Sequence, residues 1–228
     1  MTTATYDRFR GDLTAYFDRT ASKAWEQLTS DAPVSGIRAT VRAGRTEMRD
    51  TLLSWLPADM TGLRLLDAGC GTGALAVEAA QRGANVVAID VAGSLVKIAR
   101  DRAPQGLNID WRVGDMLDPS LGRFDHVVAM DSLIHYKTFD IVDVIRTLGD
   151  RTGRSIAFTF APQTPLLMAM LGIGRLFPRS DRSPAIIPVP ERLLRTLIRS
   201  ALPAARIGRS TKISASFYKS HALEVLTA

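Results

Sequence analysis

The stretch Leu63 to Gly73, LRLLDAGCGTG, constrains this chain more than any other. Leu63, Leu65 and Leu66 read as a short buried strand of a parallel sheet, because strands covered on both faces are apolar along their length. Asp67 closes the strand, and Gly69, Gly71 and Gly73 follow at every second position. Glycines so spaced let the chain turn sharply into a helix and pass close to a ligand with no Cβ in the way. In such a strand, turn and helix unit the ligand sits at the carboxyl end of the strand.

The downstream sequence repeats this alternation. Strands are predicted at 63–67, 85–90, 108–113, 124–130 and 154–160, with helices at about 73–82, 93–102 and 138–149. Alternation of this kind folds as a doubly wound α/β sheet with right-handed crossovers. A helix at about 190–200 and strands at 204–210 and 214–226 are expected to finish the sheet as an antiparallel hairpin. Upstream, Phe9, Leu13, Tyr16 or Phe17, Thr20, Ala24 and Leu28 fall at helical intervals over Tyr6 to Leu28. Asp31 to Gly36, with Pro33, interrupts the pattern, and Ile37 to Leu56 resumes it before Pro57. The domain reading is a helical arm over 1–58 and a core over 59–228. Pro162 to Pro190 holds six of the eleven prolines together with Arg175, Arg179, Asp181 and Arg182. It is too long and too apolar for a connector, and it reads as a lid insertion over 162–190, with Gly172 and Gly174 as points of movement.

With 228 residues, 46% hydrophobic and 23% charged, the chain is expected to be a soluble protein with one large core. Its single cysteine, Cys70, lies inside the glycine turn, so no disulfide framework is expected and a reducing cytoplasm is the expected compartment. Met1 to Arg19 carries charge throughout and lacks the apolar run of a signal peptide. The longest apolar stretch, Thr164 to Gly174, is well short of the roughly 20 residues that cross a bilayer; peripheral contact with a membrane surface is within its reach. The net charge of +6 is spread along the chain, and only 7% of residues are aromatic, so nucleic acid is not an expected partner.

Dinucleotide-binding dehydrogenases usually carry G-x-G-x-x-G at the first turn. Here the pattern is Asp67-x-Gly69-x-Gly71-x-Gly73, followed by a second apolar strand, NVVAID, that ends in Asp90. This pair resembles the cofactor-binding motifs of the class I methyltransferases. The resemblance implies a Rossmann-like seven-stranded sheet and S-adenosylmethionine as methyl donor. It implies that Asp67, Gly69, Cys70, Gly71 and Gly73 form the donor turn, that Asp90 takes the ribose hydroxyls, and that Asp115 in VGDM receives the adenine amino group. The Met116 N–H would meet the ring, and the backbone around Met130 the methionine part. Arg42 in VRAGR matches a position that binds the donor carboxylate in related enzymes. A turn carboxylate for Asp115 and a helix-surface arginine for Arg42 are the plainer alternatives. No protein-bound metal is expected.

Further segments narrow the methyl acceptor: YFDRTASKAW at 16–25, VSGIRATVRAGR at 34–45, MDSLIHY at 130–136, TFAPQTPLLMAM and FPRSDRSPAIIP. Together they resemble the magnesium protoporphyrin IX O-methyltransferase family of chlorophyll and bacteriochlorophyll biosynthesis, over nearly the whole chain from about residue 15. That resemblance implies transfer of a methyl group to one propionate of the porphyrin, which brings its own magnesium, and it suggests the porphyrin-binding subunit of magnesium chelatase as partner. A propionate ionises near pH 4.3, about where Glu does, so it is already an anionic nucleophile at neutral pH. The protein must then orient it, an effect of about 7–11 kcal/mol at best, and exclude water. His135 and Tyr16 are the candidate orienting groups, with packing as the plainer role for Tyr16. One alternative is an O-methyltransferase for another small acceptor such as a quinone-precursor phenol, for which His135 would serve as a base. A non-catalytic protein that binds the cofactor or a porphyrin is the other.

Overall fold

The computed structural model describes residues 4–16, 36–174, 185–215 and 217–227. Five parallel strands, β1 (Arg64–Ala68), β2 (Asn85–Asp90), β3 (Ile109–Val113), β4 (Phe124–Ala129) and β5 (Thr152–Phe160), are followed by an antiparallel hairpin, β6 (Arg206–Ala215) and β7 (Tyr218–Leu226). Their order across the seven-stranded sheet is β3-β2-β1-β4-β5-β7-β6. The order reverses between β1 and β4, and in open α/β sheets that reversal opens a crevice at the strands' carboxyl ends. The expected doubly wound, Rossmann-like architecture is therefore present.

Two helices precede the sheet, α1 (Ala4–Tyr16) and α2 (Gly36–Ser54). The crossovers carry α3 (Ala74–Gln81), α4 (Gly93–Arg102) and α5 (Thr138–Gly149), and the segment between β5 and β6 carries α6 (Pro165–Gly174) and α7 (Glu191–Ala201). Alternation along each strand sorts side chains onto two faces. Leu66, Val127, Ala129, Ile156 and Phe158 pack under Ile141, Ile145 and Leu148 of α5 and Leu194 and Ile198 of α7. Leu65, Val86, Ala88, Val128 and Ala157 pack against Met48, Leu52 and Leu53 of α2 and Leu75, Ala76 and Ala79 of α3. Each fully buried leucine or phenylalanine contributes about 1.5–3 kcal/mol by leaving water. Helix α2 is thus part of the core although it was expected within the arm. Its close seat depends on Gly44, where a Cβ would lie 2.6 Å from the Tyr218 ring.

One expected boundary changes. The hairpin was expected to turn near 211–213, yet Lys212 and Ile213 belong to β6, which pairs with β7 up to Ala215–Tyr218. Edge strand β6 has one half-solvated face, and its register shifts between Ile207 and Ser210, so its alternation is too weak to fix the turn from sequence. Of the helix or helix pair expected over Tyr6 to Leu28, the helix Ala4–Tyr16 is described, and the rest of that segment lies outside the described residues. Within the expected lid, α6 leaves β5 and residues 185–190 return beside it through a Pro162–Val189 bridge. Arg175, Arg179, Asp181 and Arg182 lie outside the described residues. No helix among the described residues is long and apolar enough to cross a membrane.

Candidate active site

Strands β1, β2 and β4 end together, and their last side chains on the α2 face open into a cavity lined by Asp67, Asp90 and Met130. The turn after β1 forms its floor. Gly69 has φ +85 and Gly73 φ +80, left-handed values that cost a side-chain-bearing residue energy. A Cβ at Gly69 would lie 2.3 Å from Ser132, and one at Gly73 2.4 Å from the Trp111 ring. Gly69, Cys70 and Gly71 line the cavity, whereas Gly73 does not. Gly73, expected in the donor site, instead lets α3 start against Trp111.

The turn is pinned to β2. The Gly69 and Cys70 N–H groups both donate to the Ile89 carbonyl, at 2.8 and 3.0 Å. Asp90 accepts from the Gly71 N–H and from the Ala92 N–H, each at 2.9 Å.

Asp67 is only 2% exposed, and its Oδ2 has no hydrogen-bond partner. Burial, with the neighbouring Asp90 charge adding to it, pushes its pKa up from 3.8 to about 7, against a lowering hydrogen bond from the Ala76 N–H. A buried carboxylate with one oxygen unpartnered at a cavity wall suits a cationic ligand, which lowers the cost of the buried charge. Burial, and then Asp67 and Asp90, push the Cys70 thiol well above its ordinary range, so Cys70 is a neutral wall residue.

Asp67 gives a pH prediction. The folded protein holds this proton more tightly than the unfolded chain, so the associated stability is fully present below pH 3.8 and lost as pH rises through about 7. Without donor, the melting temperature of Asp67→Asn should therefore gain on that of wild type between pH 5 and pH 8, while a cationic donor should bind wild type more tightly as pH rises through 7 and bind the variant with little pH dependence. Melting curves and calorimetric titrations across that range check both slopes.

Helix α2 supplies another wall. Arg42, Arg45 and Arg49 lie three and four residues apart, hence on one face, and all three line the cavity. Arg49 pairs with Glu78 at 2.7 Å and Arg45 with Asp131 at 2.6 Å.

Helix α1 closes a third side through Tyr6, which is 3% exposed. Its hydroxyl donates to Asp115 Oδ1 at 2.7 Å, and its ring stacks on Tyr136 with centroids 5.0 Å apart. Burial raises both phenol pKa values, leaving neutral donors. Arg10 also pairs with Asp115, and the Leu117 N–H donates to that carboxylate at 2.9 Å. Met116 lines the cavity, but Asp115 does not; the carboxylate expected to face an adenine is held by the arm instead. Tyr16, at the far end of α1, is not among the lining residues either. From α1, Tyr6 occupies the cavity in its place.

His135 stands at the end of a single helical turn, Leu133–His135, that follows β4. It is 6% exposed and lines the cavity. Its Nδ1 lies 3.3 Å from the Ala185 carbonyl, which can only accept, so the Nδ1 proton points there. The neighbouring Ile187 N–H donates to the Ile134 carbonyl at 2.9 Å. The returning limb of the insertion therefore packs on the turn that carries His135.

The cavity unites Arg42, Asp67, Gly69, Cys70, Gly71, Asp90, Met116, Met130 and His135. Sequence reasoning missed Tyr6, Arg45, Asp131, Ser132 and Tyr136. Arg45 carried a signal in its three-residue spacing from Arg42, and Asp131, Ser132 and Tyr136 in the segment MDSLIHY; Tyr6 carried none.

A reversed parallel sheet, a glycine turn and an acidic second strand end define a class I S-adenosylmethionine-dependent methyltransferase, and a methyltransferase domain family matches residues 65–151. Residues 129–227 match the magnesium-protoporphyrin IX methyltransferase C-terminus family. The chain is 51% identical to the magnesium-protoporphyrin O-methyltransferase of Rhodobacter capsulatus, over 92% of this chain and 95% of that one. It is 31% identical to the Synechocystis enzyme of the same name, over 92% and 93%. The crystal structure of magnesium protoporphyrin IX methyltransferase from Synechocystis PCC 6803 with bound SAH superposes with a TM-score of 0.85 at 28% identity, covering 96% of this chain and all of that one. The chain belongs to the magnesium protoporphyrin IX O-methyltransferase family.

Proposed function

We infer that this chain transfers a methyl group from S-adenosylmethionine to a propionate carboxylate of magnesium protoporphyrin IX, giving the monomethyl ester. The observation that carries the reading is the meeting of the glycine turn, Asp67 and Asp90 with His135 in one cavity. The donor supplies an electrophilic methyl group on a sulfonium. Asp90 holds the ribose hydroxyls, the Gly69–Gly71 backbone passes along the donor, Asp67 faces its positive charge, and Arg42 binds its carboxylate. Met116 and Met130 bound the site, and Tyr6 closes it. Asp115 becomes available to an adenine amino group when α1 moves off.

His135 orients the acceptor. The contact of its Nδ1 with the Ala185 carbonyl fixes the orientation of the ring. The flat apolar acceptor would rest on the insertion, where Leu166, Met168 and Ile186 are exposed. Those exposed apolar side chains and the net charge of +6 also support collection of the porphyrin from the porphyrin-binding subunit of magnesium chelatase, and peripheral association with a membrane surface from a cytoplasmic location.

The test is incubation with methyl-labelled S-adenosylmethionine and, in parallel, magnesium protoporphyrin, metal-free protoporphyrin and a catechol, with products read by mass. A monomethyl ester formed preferentially from the magnesium porphyrin is expected. Label in the catechol alone would overturn the carboxylate reading.

A further inference from the structure

Asp131 has φ +53 and is the one non-glycine residue among those described with positive φ. A side-chain-bearing residue persists in that conformation only where its surroundings over-determine it, and such residues gather at functional sites. Its side chain is 5% exposed and it lines the cavity immediately after Met130. Four contacts hold it. Its carboxylate takes the Arg45 guanidinium of α2 at 2.6 Å and the Tyr218 hydroxyl of β7 at 3.0 and 3.2 Å. Its N–H donates to Thr159 Oγ1 of β5 at 2.7 Å, and that hydroxyl lies 3.3 Å from Oδ1. The next residue, Ser132, donates to the Ala68 carbonyl at 2.8 Å, beside Gly69.

Three elements distant in sequence thus meet at one carboxylate. Four residues on, the same backbone delivers His135, through a turn closed by the Tyr136 N–H to Leu133 carbonyl bond of 3.1 Å. The Asp131 backbone sets the direction in which that turn leaves the sheet, and its carboxylate sets where Arg45 stands.

We propose that Asp131 is a positioning residue for methyl transfer, tying α2 and β7 to the turn after β4 so that His135 and Arg45 are held in register with the donor turn. The proposal rests on the acceptor role assigned to His135 above. It requires no contact between Asp131 and substrate. The charge of Asp131 is neutralised locally by Arg45, so it presents little repulsion to an anionic acceptor.

Asp131→Asn isolates the tie, because asparagine also tolerates left-handed backbone and keeps an acceptor for Tyr218 but loses the charge that holds Arg45. Misplacement of a reacting group by about 1 Å can cost about 100-fold, so kcat on magnesium protoporphyrin should fall about 10- to 100-fold. Acceptor KM should change by less than about 3-fold, since binding contacts are retained. Hydrogen exchange at the Asp131 and Tyr136 amides should accelerate about 10-fold as the turn opens more often. Tyr218→Phe, which leaves the Arg45 pair intact, should reproduce the direction at smaller size.

Wild-type kcat together with unchanged exchange at residues 131–136 would overturn the proposal. So would a lowered melting temperature with kcat preserved at a temperature where the variant is folded, since that marks a structural role alone. Wild-type protein that methylates none of the acceptors would instead defeat the functional reading, and the exchange rates, which need no substrate, would then decide the positioning role.

Discussion

Replacing Asp90 with alanine is expected to weaken S-adenosylmethionine binding by at least about 100-fold while the protein remains folded. The carboxylate does two things at once. It accepts the Gly71 and Ala92 N–H groups, each at 2.9 Å, which fixes the glycine turn against β2 and the start of α4. In the proposed function it also accepts from the ribose hydroxyls. Hydrogen bonds to a charged group contribute about 1.5–3 kcal/mol each, so losing two such contacts to the donor costs about 3–6 kcal/mol, more than two decades of affinity. The sheet core does not depend on this side chain, because Asp90 sits at the end of β2 beyond Val86, Val87, Ala88 and Ile89, which are buried. Calorimetric titration with the donor, paired with a melting curve, checks both halves. Donor affinity within about 3-fold of wild type would remove Asp90 from the donor site.

His135→Ala is expected to lower kcat about 100-fold, the cost of misplacing a reacting group by about 1 Å, with donor affinity nearly intact. The donor floor is built from β1, β2 and their turn, none of which uses the imidazole. The pH profile of wild type then distinguishes acceptor chemistries. A carboxylate acceptor is already ionised well below neutral pH and has no proton to lose, so its methylation should not rise with pH across the neutral range. A phenol, with a pKa of about 10, must lose its proton to the neutral ring, so its methylation should rise over the same interval. Initial rates at saturating donor for both acceptors, wild type against variant, provide the comparison.

Much of the framework was legible because strong local signals bound it. Strand β2 and helices α4 and α5 fall at 85–90, 93–102 and 138–149, where apolar runs and helical periodicity are flanked by Asn85, Gly93, Lys137 and Gly149. The glycine turn was legible for the same reason, since its spacing is local. Asp115 and Tyr16 were harder. Their sequence neighbourhoods suited a ligand, but whether a side chain reaches the cavity depends on how α1 lies across the sheet, and that is fixed by the Tyr6–Tyr136 stack and the Asp115 clasp. Tyr6 itself lies 109 residues from its hydrogen-bond partner. No periodicity over a window of ten or so residues carries such a pairing.

By itself, then, the sequence determined the α/β alternation, the glycine turn that follows Asp67, the strand that ends in Asp90, and the family, because each of these depends on neighbours a few residues apart or on similarity along the whole chain. Only the tertiary structure decided which arm residue closes the cavity, that Gly73 serves packing against Trp111, that Asp115 is engaged by α1, and that Asp131 joins α2, β5 and β7. Those outcomes come from contacts between elements far apart in the chain, whose geometry is set by how the sheet twists and how closely α1 and α2 pack onto it.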